Sequence, residues 1–188
     1  RRRIAFDELF AIQLGVLSKQ REWQSASGYP IPTDQEVLGG FVASLPFQLT
    51  AAQERVLEDI THDLAQPKPM SRLLQGDVGS GKTVVAAAVL VLAVAAGYQG
   101  ALMAPTEILA EQHYRSLSRL FGHPEFQALE ALPLSYLQKL GRPLRLGLLT
   151  GSLRSSEKQR LQQDVASGQV DILVGTHALI QEGVSFDR

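Results

Sequence analysis

The fold of this chain is decided by one stretch, Gly76-Asp77-Val78-Gly79-Ser80-Gly81-Lys82-Thr83. The stretch fits the phosphate-cradling pattern G-x-x-x-x-G-K-[ST] at every fixed position. The apolar pair Leu73-Leu74 precedes it, and an alanine-rich apolar run of helical length follows it over residues 83–96. This order of strand, loop and helix is the context that the pattern needs, so the stretch predicts a binding site for a nucleoside triphosphate.

Each part of this loop has a predicted role. Its glycines let the backbone curl around the phosphates with N–H groups pointing inward, and the following helix N-terminus adds a partial positive charge. We predict that Lys82 reaches the β and γ phosphates as the catalytic residue and that Thr83 places its hydroxyl on Mg²⁺. The alternative is a Gly/Ser loop in front of an ordinary helix, in which these residues have no ligand.

The composition is that of an ordinary folded domain with room for one sizeable core. The chain has 188 residues, of which 45% are hydrophobic and 20% charged, and its formal net charge is −1. No global basic field therefore draws it to nucleic acid, and any polyanion has to be bound locally. The absence of cysteine excludes disulfides and is compatible with the cytoplasm, where we expect the protein. The apolar run over residues 84–96 is shorter than the roughly 20 residues of a membrane span.

Apolar strands and helices alternate along the rest of the chain. A helix that begins after the N-cap Thr106 is predicted to bury Leu109 and Leu117. This alternation predicts an α/β fold, a parallel sheet with helices on both faces, in which ligands bind beyond the carboxyl ends of the strands. Besides the pair in front of the loop, strands are predicted over residues 100–104, 144–150 and 170–175.

Three stretches lie outside this alternation. Apolar residues at helical spacing from Phe6 to Leu17 predict an amphipathic helix, which packs either on the main lobe, the commoner arrangement, or on another part of the protein. Glycine, proline and serine are dense over residues 25–44, which predicts a linker or irregular loop at a domain boundary. Residues 122–143 are leucine-rich and bracketed by prolines, with room for a short helix or two.

Gln53 has two interpretations. Thr50 and Gln53 have the spacing of a capping box, in which each side chain bonds the other's free backbone N–H group at a helix start. The alternative is that the Gln53 amide reads the edge of an adenine while Phe47 lines the base pocket. The spacing alone does not decide between them.

Hydroxyl side chains stand where three predicted strands end. Free N–H groups and hydroxyls at such ends can hold phosphates in a row, as a nucleic-acid strand presents them. The alternative is that these residues only cap helices and turns. His177 has no second ligand at a metal-binding spacing, so we do not expect zinc. The three ends are Pro105-Thr106, Thr150-Gly151-Ser152 and Gly175-Thr176-His177.

Taken together, five stretches resemble the motor of superfamily-two helicases and, more narrowly, the bacterial RecG family of ATP-dependent DNA branch-migration translocases. The resemblance covers residues 45–186, and the helix over residues 4–17 resembles the family's connector between a DNA-binding wedge domain and the motor. The five stretches are Phe47-x-Leu49-Thr50-x-x-Gln53, residues 69–83, Ala104-Pro105-Thr106-Glu107-Ile108-Leu109-Ala110-Glu111-Gln112-His113, Thr150-Gly151-Ser152 and Gly175-Thr176-His177-Ala178-Leu179-Ile180-Gln181-Glu182.

The resemblance implies a RecA-like P-loop NTPase fold and an ATP-fuelled translocase that acts on stalled replication forks and Holliday junctions in DNA recombination and repair. It implies ATP and Mg²⁺ as cofactors, with Phe47 and Gln53 at the adenine and residues 76–83 at the phosphates. We expect branched DNA as the partner, a monomer without membrane contact, and a nucleoid-associated place in the bacterial cytoplasm. The implied contacts to the DNA backbone are Pro105, Thr106, Glu107, Thr150, Gly151, Ser152, Gly175, Thr176 and His177.

The resemblance also implies a division of the chain. Residues 1–24 are expected to be the connector helix from a missing wedge domain, residues 25–44 a linker, and residues 45–188 the first RecA-like lobe, truncated before the family's Asp-Glu box. In that box one acid holds Mg²⁺ and the other positions the attacking water, whereas here only Glu182 and Asp187 follow the last predicted strand. The second motor lobe is missing too, so we expect this chain alone to bind ATP without hydrolysing it. Residues 122–143 are an expected surface insertion.

Two other functions stay open on the sequence alone. A small-molecule kinase or another stand-alone phosphotransferase predicts an acceptor pocket and turnover within these residues, although nothing supplies its catalytic acid. A nucleotide-gated interaction module predicts that the helix over residues 6–17 docks on a partner. Salt-sensitive binding of single-stranded and forked DNA separates the translocase from both.

Overall fold

A computed structural model describes residues 2–25, 27–122, 140–180 and 183–187. Within these residues four α-helices come first, two further α-helices then alternate with three β-strands, and a 3₁₀ turn follows over His177–Ile180. Their bounds are α1 Arg2–Ser25, α2 Gln35–Ala43, α3 Ala51–Leu64, α4 Lys82–Ala95, β1 Gly100–Met103, α5 Glu107–Leu120, β2 Leu146–Leu149, α6 Ser155–Ala166 and β3 Ile172–Gly175.

The three strands form one parallel sheet in the order β1-β3-β2. They lie where the sequence predicts strands after the loop, and β3 in the centre is buried along its whole length. In the register of the sheet, Met103 of β1 and Leu149 of β2 both stand beside Gly175 of β3. The carboxyl ends of all three strands therefore lie at one edge of the sheet.

Helices cover both faces of this sheet. Ile172 and Val174 join a core that includes side chains of α2, α3, α4 and α5, whereas Leu173 belongs to a second cluster with Val165 of α6. Alternate residues of β3 thus point to opposite apolar layers, as the two-residue period of a strand requires. This arrangement confirms the predicted α/β class. Leu117 is buried as predicted, but Leu109, in the first turn of α5, is 38% exposed, so the prediction for Leu109 was wrong.

The strand predicted in front of the phosphate loop is not formed. Residues 71–77 carry no strand, and their backbone pairs with none of β1, β2 and β3. Leu74 packs against the core, but Leu73 is 88% exposed. An apolar pair predicts burial, but a strand also needs a neighbouring strand that hydrogen-bonds to its backbone. This part of the prediction was wrong because no such neighbour pairs with residues 71–77.

Helix α2 lies within the segment predicted to be a linker or irregular loop, which corrects the prediction of irregular structure there. Asp34 caps the helix, because its carboxylate accepts hydrogen bonds from the backbone N–H groups of Glu36 (2.9 Å) and Val37 (3.3 Å). Val37 and Phe41 are buried, and the Phe41 ring lies 6.1 Å from that of Phe121. Burial of these side chains outweighs the two helix-weakening glycines of α2, and Asp34 was the signal available in the sequence.

Helix α1 exposes its apolar side. Phe6 and Phe10 stack with their centroids 5.8 Å apart, yet both are exposed. A groove of about 900 Å³ lies between α1 and residues 63–71. Among the described residues this side does not pack on the main lobe, so the commoner of the two expected arrangements was wrong. None of the described helices is long and apolar enough to cross a membrane. The exposed apolar residues are Phe6, Leu9, Phe10, Ile12, Leu14, Val16 and Leu17.

The amino edge of the sheet is held by a buried carboxylate. The side chain of Asp171 is 5% exposed and accepts two hydrogen bonds from the guanidinium of Arg142, at 2.5 and 2.7 Å. It also accepts from the Arg145 backbone N–H (2.8 Å) and guanidinium (3.1 Å). Arg145 in turn donates to the carbonyl of Gly168 at 2.7 Å. Asp171 therefore ties the starts of β2 and β3 to the end of α6.

One buried polar atom in α5 gives a stability prediction. The Ser118 hydroxyl is buried and has no hydrogen-bond partner among the described residues. Ser118→Ala removes that desolvated hydroxyl, so we expect it to stabilise the chain by about 1 kcal/mol more than Ser116→Ala on the exposed side of the same helix. The two variants share the change in helix propensity, and urea unfolding measures the difference. A Ser118→Ala variant less stable than Ser116→Ala contradicts the prediction.

Candidate nucleotide-binding site

The phosphate loop is an exposed turn that leads directly into α4. The Ser80 N–H donates to the carbonyl of Asp77 at 3.1 Å, and Gly79 and Gly81 have positive φ angles of 82° and 79°. Gly81 is the N-cap of α4 and supplies no side-chain acceptor. The first turn of α4 therefore presents N–H groups without a side-chain cap, which is the arrangement that suits an anion at a helix start.

Lys82 directs its ammonium into this loop. Its Nζ donates to the carbonyls of Gly76 and Asp77, both at 2.7 Å, and lies 3.4 Å from the Ser80 hydroxyl. The charge is therefore placed inside the turn whose amides are predicted to hold the phosphates. Thr83 follows at the second position of α4 and is partly buried. The structure thus brings together the predicted loop residues, and their roles toward a nucleotide stay predictions.

Gln53 forms the predicted capping box and makes one further bond. Its Oε1 accepts from the Thr50 N–H at 2.8 Å, and its own N–H donates to the Thr50 hydroxyl at 3.3 Å. Its Nε2 donates to the carbonyl of Ser80, 2.9 Å away and 27 positions along the chain. A Cβ on Gly81 would lie 2.3 Å from that Nε2, so a glycine there lets Gln53 approach the loop. Local spacing carries no signal for this long-range bond.

Phe47 lies outside the hydrogen-bonded part of the loop. Its ring is half exposed and lines a shallow cavity of about 480 Å³ that also includes Leu49 and Glu54. This cavity is formed by the end of α2 and the segment leading into α3. The base-binding roles of Phe47 and Gln53 remain predictions.

The segment leading into the loop is joined to α3 by an ion pair that was not predicted from the sequence. The Arg72 Nε donates to the Asp63 carboxylate at 2.5 Å. The Arg72 guanidinium also lies 3.7 Å from the Asp59 carboxylate. The hydrogen bond from Arg72 holds the pKa of Asp63 below its ordinary value, because it favours the ionised carboxylate. Asp59 and Asp63 share one face of α3 at a spacing of four, which was the available signal for a cation between them.

The residues predicted to contact DNA meet at the carboxyl edge of the sheet. The Ala104 N–H donates to the carbonyl of Gly175 at 2.8 Å, and the Thr176 N–H donates to that of Leu149 at 3.3 Å. The three turns after β1, β2 and β3 therefore start at the same level, as the sequence predicts. Pro105, Thr106, Gly151, Ser152 and His177 are exposed there.

Several of these side chains already have partners within the edge. The Thr106 hydroxyl accepts from the Leu109 N–H at 3.3 Å, so Thr106 caps α5. Thr150 is buried, with its hydroxyl 3.0 Å from that of Ser152, and a Cβ on Gly151 would lie 2.9 Å from the Glu107 carboxylate. Gly175 is buried as well, and the predicted DNA contacts of Thr150 and Gly175 stay predictions. Thr176 is partly exposed.

The geometry agrees with what comparison with known proteins finds. The DEAD/DEAH box helicase family model matches residues 50–187. The ATP-dependent DNA helicases RecG of Streptococcus pneumoniae and Bacillus subtilis are each 46% identical to this chain, over 100% and 99% of it, and that of Thermotoga maritima is 41% identical over 99%. The chain spans about a quarter of the length of these relatives, at 25%, 25% and 22%.

A solved structure of RecG bound to a three-way DNA junction matches 99% of the chain and 23% of its own, with 40% identity and a TM-score of 0.79. This agreement over the whole length confirms the resemblance to RecG helicases and the RecA-like fold. The matched family model covers well over half of the residues, including the phosphate loop and the strand ends at the carboxyl edge. The chain therefore belongs to the DEAD/DEAH box helicase family.

Proposed function

We propose that this chain is the ATP-binding portion of an ATP-dependent DNA helicase or translocase that remodels stalled replication forks and Holliday junctions during recombination and repair. The observation that carries the proposal is Lys82, whose ammonium lies inside a glycine turn at the uncapped N-terminus of α4. A buried helix behind that turn, with its dipole directed at it, suits a triphosphate. Membership of a helicase family narrows the use of that site to ATP-driven work on nucleic acid.

In this proposal the described residues divide the work on the nucleotide. Lys82 and the backbone N–H groups of residues 79–83 neutralise and orient the phosphates, and Thr83 supplies an oxygen ligand to Mg²⁺. Gln53 links this site to the start of α3 through Ser80. With Phe47, it forms the side on which the adenine is proposed to lie. A Mg²⁺ ion held through Thr83 would neutralise part of the phosphate charge.

The carboxyl edge is the proposed track for one DNA strand. The exposed residues Thr106, Ser152 and His177 lie there on three neighbouring turns, within a chain whose net charge is only −1. Contacts by hydroxyls and backbone amides need no excess of basic residues, which suits this charge.

The same proposal assigns α1 as the connector to a wedge domain and residues 45–188 to the first of two motor lobes, in a monomeric, nucleoid-associated cytoplasmic protein. The exposed apolar side of α1 supports its assignment as the connector, because that side is free to pack against another domain.

The 188-residue chain alone will bind Mg²⁺·ATP weakly and hydrolyse it negligibly. The reason is that the proposed water-activating acid pair and the second lobe lie in other parts of the protein. Titration with a fluorescent ATP analogue measures binding, and phosphate release measures turnover. Robust turnover that Lys82→Ala abolishes contradicts this proposal and favours a self-contained phosphotransferase.

Labelled DNA tests the proposed track. The chain is expected to bind single-stranded and forked DNA weakly, with an affinity that falls as salt rises, because phosphate contacts release counterions. Ser152→Arg at the edge is expected to strengthen binding, whereas Ser167→Arg at the opposite end of α6 makes the same charge change away from the edge. Fluorescence anisotropy measures both. Equal strengthening by the two variants contradicts the placement of the track.

A further inference from the structure

Helix α3 holds the phosphate-loop region at two points. Near its first turn, Gln53 donates to the carbonyl of Ser80, at the end of the loop (2.9 Å). In its last turns, Asp63 and Asp59 hold the guanidinium of Arg72, four residues before the loop begins. Helix α3 thus contacts the chain on both sides of residues 76–79.

This double attachment matters because Lys82 holds only the carbonyls of Gly76 and Asp77, and the backbone of residues 71–75 before them has little other support among the described residues. Residues 71–77 form no strand, and Leu73 is exposed. Leu74 packs against the core and fixes the segment at one side chain. A segment without ladder hydrogen bonds is free to shift along its length unless side chains hold it.

We propose that Arg72 is a positioning residue for ATP, which sets the entry to the phosphate loop through its ion pair with Asp63, while Gln53 sets the exit. The inference rests on the proposed ATP binding by residues 76–83 and assigns a role to a residue outside that loop. Arg72 touches no reacting atom; it acts by keeping the loop carbonyls and N–H groups in register with Lys82.

The geometry suits a clamp of modest strength. The Arg72 side chain is 43% exposed and that of Asp63 is 30% exposed, so water screens the pair. Exposed pairs of this kind are worth up to about fivefold in an equilibrium constant. Arg72→Gln should therefore weaken Mg²⁺·ATP binding by about three- to fivefold. Asp63→Asn should weaken binding by a similar or smaller factor, because the contact of Arg72 with Asp59 remains. The double variant should be no weaker than Arg72→Gln alone, because Arg72→Gln already removes both contacts.

The test uses the 188-residue chain and two readouts. A fluorescent ATP analogue with Mg²⁺ gives the Kd of each variant. The ¹⁵N heteronuclear NOE of residues 73–79, recorded without nucleotide, reports the mobility of the loop entry and is expected to fall in Arg72→Gln and Asp63→Asn. The matched control is Arg115→Gln, which removes a second exposed ion pair, with Glu111 on α5 (3.6 Å), far along the chain from the loop.

Arg115→Gln should leave both readouts unchanged. Loop NOE values and Kd that are unchanged in Arg72→Gln overturn the inference, as does an equal loss of affinity in Arg115→Gln or a double variant with additive losses. If the unaltered chain fails to bind the analogue, the proposed function fails, and the NOE values still decide whether Arg72 holds the loop entry.

Discussion

Replacing Lys82 with alanine will weaken the binding of Mg²⁺·ATP to this chain by about tenfold to a hundredfold, the range expected for losing a charged hydrogen-bond donor to phosphate. The Nζ of Lys82 lies 2.7 Å from two carbonyls of the loop, so its charge is already placed where the phosphates are proposed to bind. The N–H groups of the loop remain in the variant, and some affinity should remain with them. Titration with a fluorescent ATP analogue measures the change.

Two further variants make this result interpretable. Lys68→Ala removes the same charge from an exposed position in the turn after α3, and it should leave the affinity unchanged. Lys82→Met keeps most of the aliphatic stem and should lose as much affinity as Lys82→Ala, because the charge is what matters. An unchanged affinity in Lys82→Ala, or an equal loss in Lys68→Ala, contradicts the assignment of the site.

The second large effect is expected at the amino edge of the sheet. Asp171→Asn should lower the free energy of unfolding at neutral pH by about 2–3 kcal/mol, because its amide group presents a donor to arginines that need acceptors. The side chains of Arg142 and Arg145 are 47% and 41% exposed, so water compensates part of the loss and keeps it in this range. Urea unfolding measures it, and Glu111→Gln in the exposed pair of α5 should change stability by less than about 0.5 kcal/mol.

The same carboxylate gives this prediction a pH dependence. Burial raises the pKa of Asp171, but the hydrogen bonds from Arg142 and Arg145 outweigh it, so the pKa lies below its ordinary value. A group with a lowered folded-state pKa contributes stability that is present above its unfolded pKa, about 3.9, and is lost as the pH falls through the folded pKa. The stability difference between the chain and Asp171→Asn should therefore be full at pH 7 and shrink below pH 4. A difference that stays constant with pH contradicts the ion-pair account.

Much of the fold follows from local patterns in the sequence. The strands after the loop are apolar runs between turn residues, and the caps Thr50 and Thr106 mark helix starts that the structure confirms. Helix α2 escaped prediction because its two glycines weaken the local helix signal, while the burial of Phe41 against Phe121 depends on a contact between distant parts of the chain. At Leu73-Leu74 the error was the opposite one, because a strand was predicted and none is formed. An apolar pair does not reveal whether a neighbouring strand will pair with it.

The site divides in the same way. The pattern over residues 76–83 predicts a loop in front of a helix, and the structure places Lys82 inside that loop. The links from α3, Gln53 to Ser80 and Asp63 to Arg72, join positions whose separation carries no periodic signal. The burial of Thr150 could not be predicted either, because the sequence does not show whether a threonine at a strand end directs its hydroxyl to solvent or to a neighbouring serine.

One titration tests most directly whether the glycine turn before α4 is the nucleotide site. In ¹⁵N-labelled chain, Mg²⁺·ATP should shift the amide signals of Gly79, Gly81 and Thr83 most, shift Gln53 through its bond to Ser80, and leave α6 nearly unchanged. The same titration of Lys82→Ala should need far more nucleotide to reach the same shifts. Saturating nucleotide that leaves the loop signals in place, or that instead shifts signals along the groove between α1 and residues 63–71, would contradict the account.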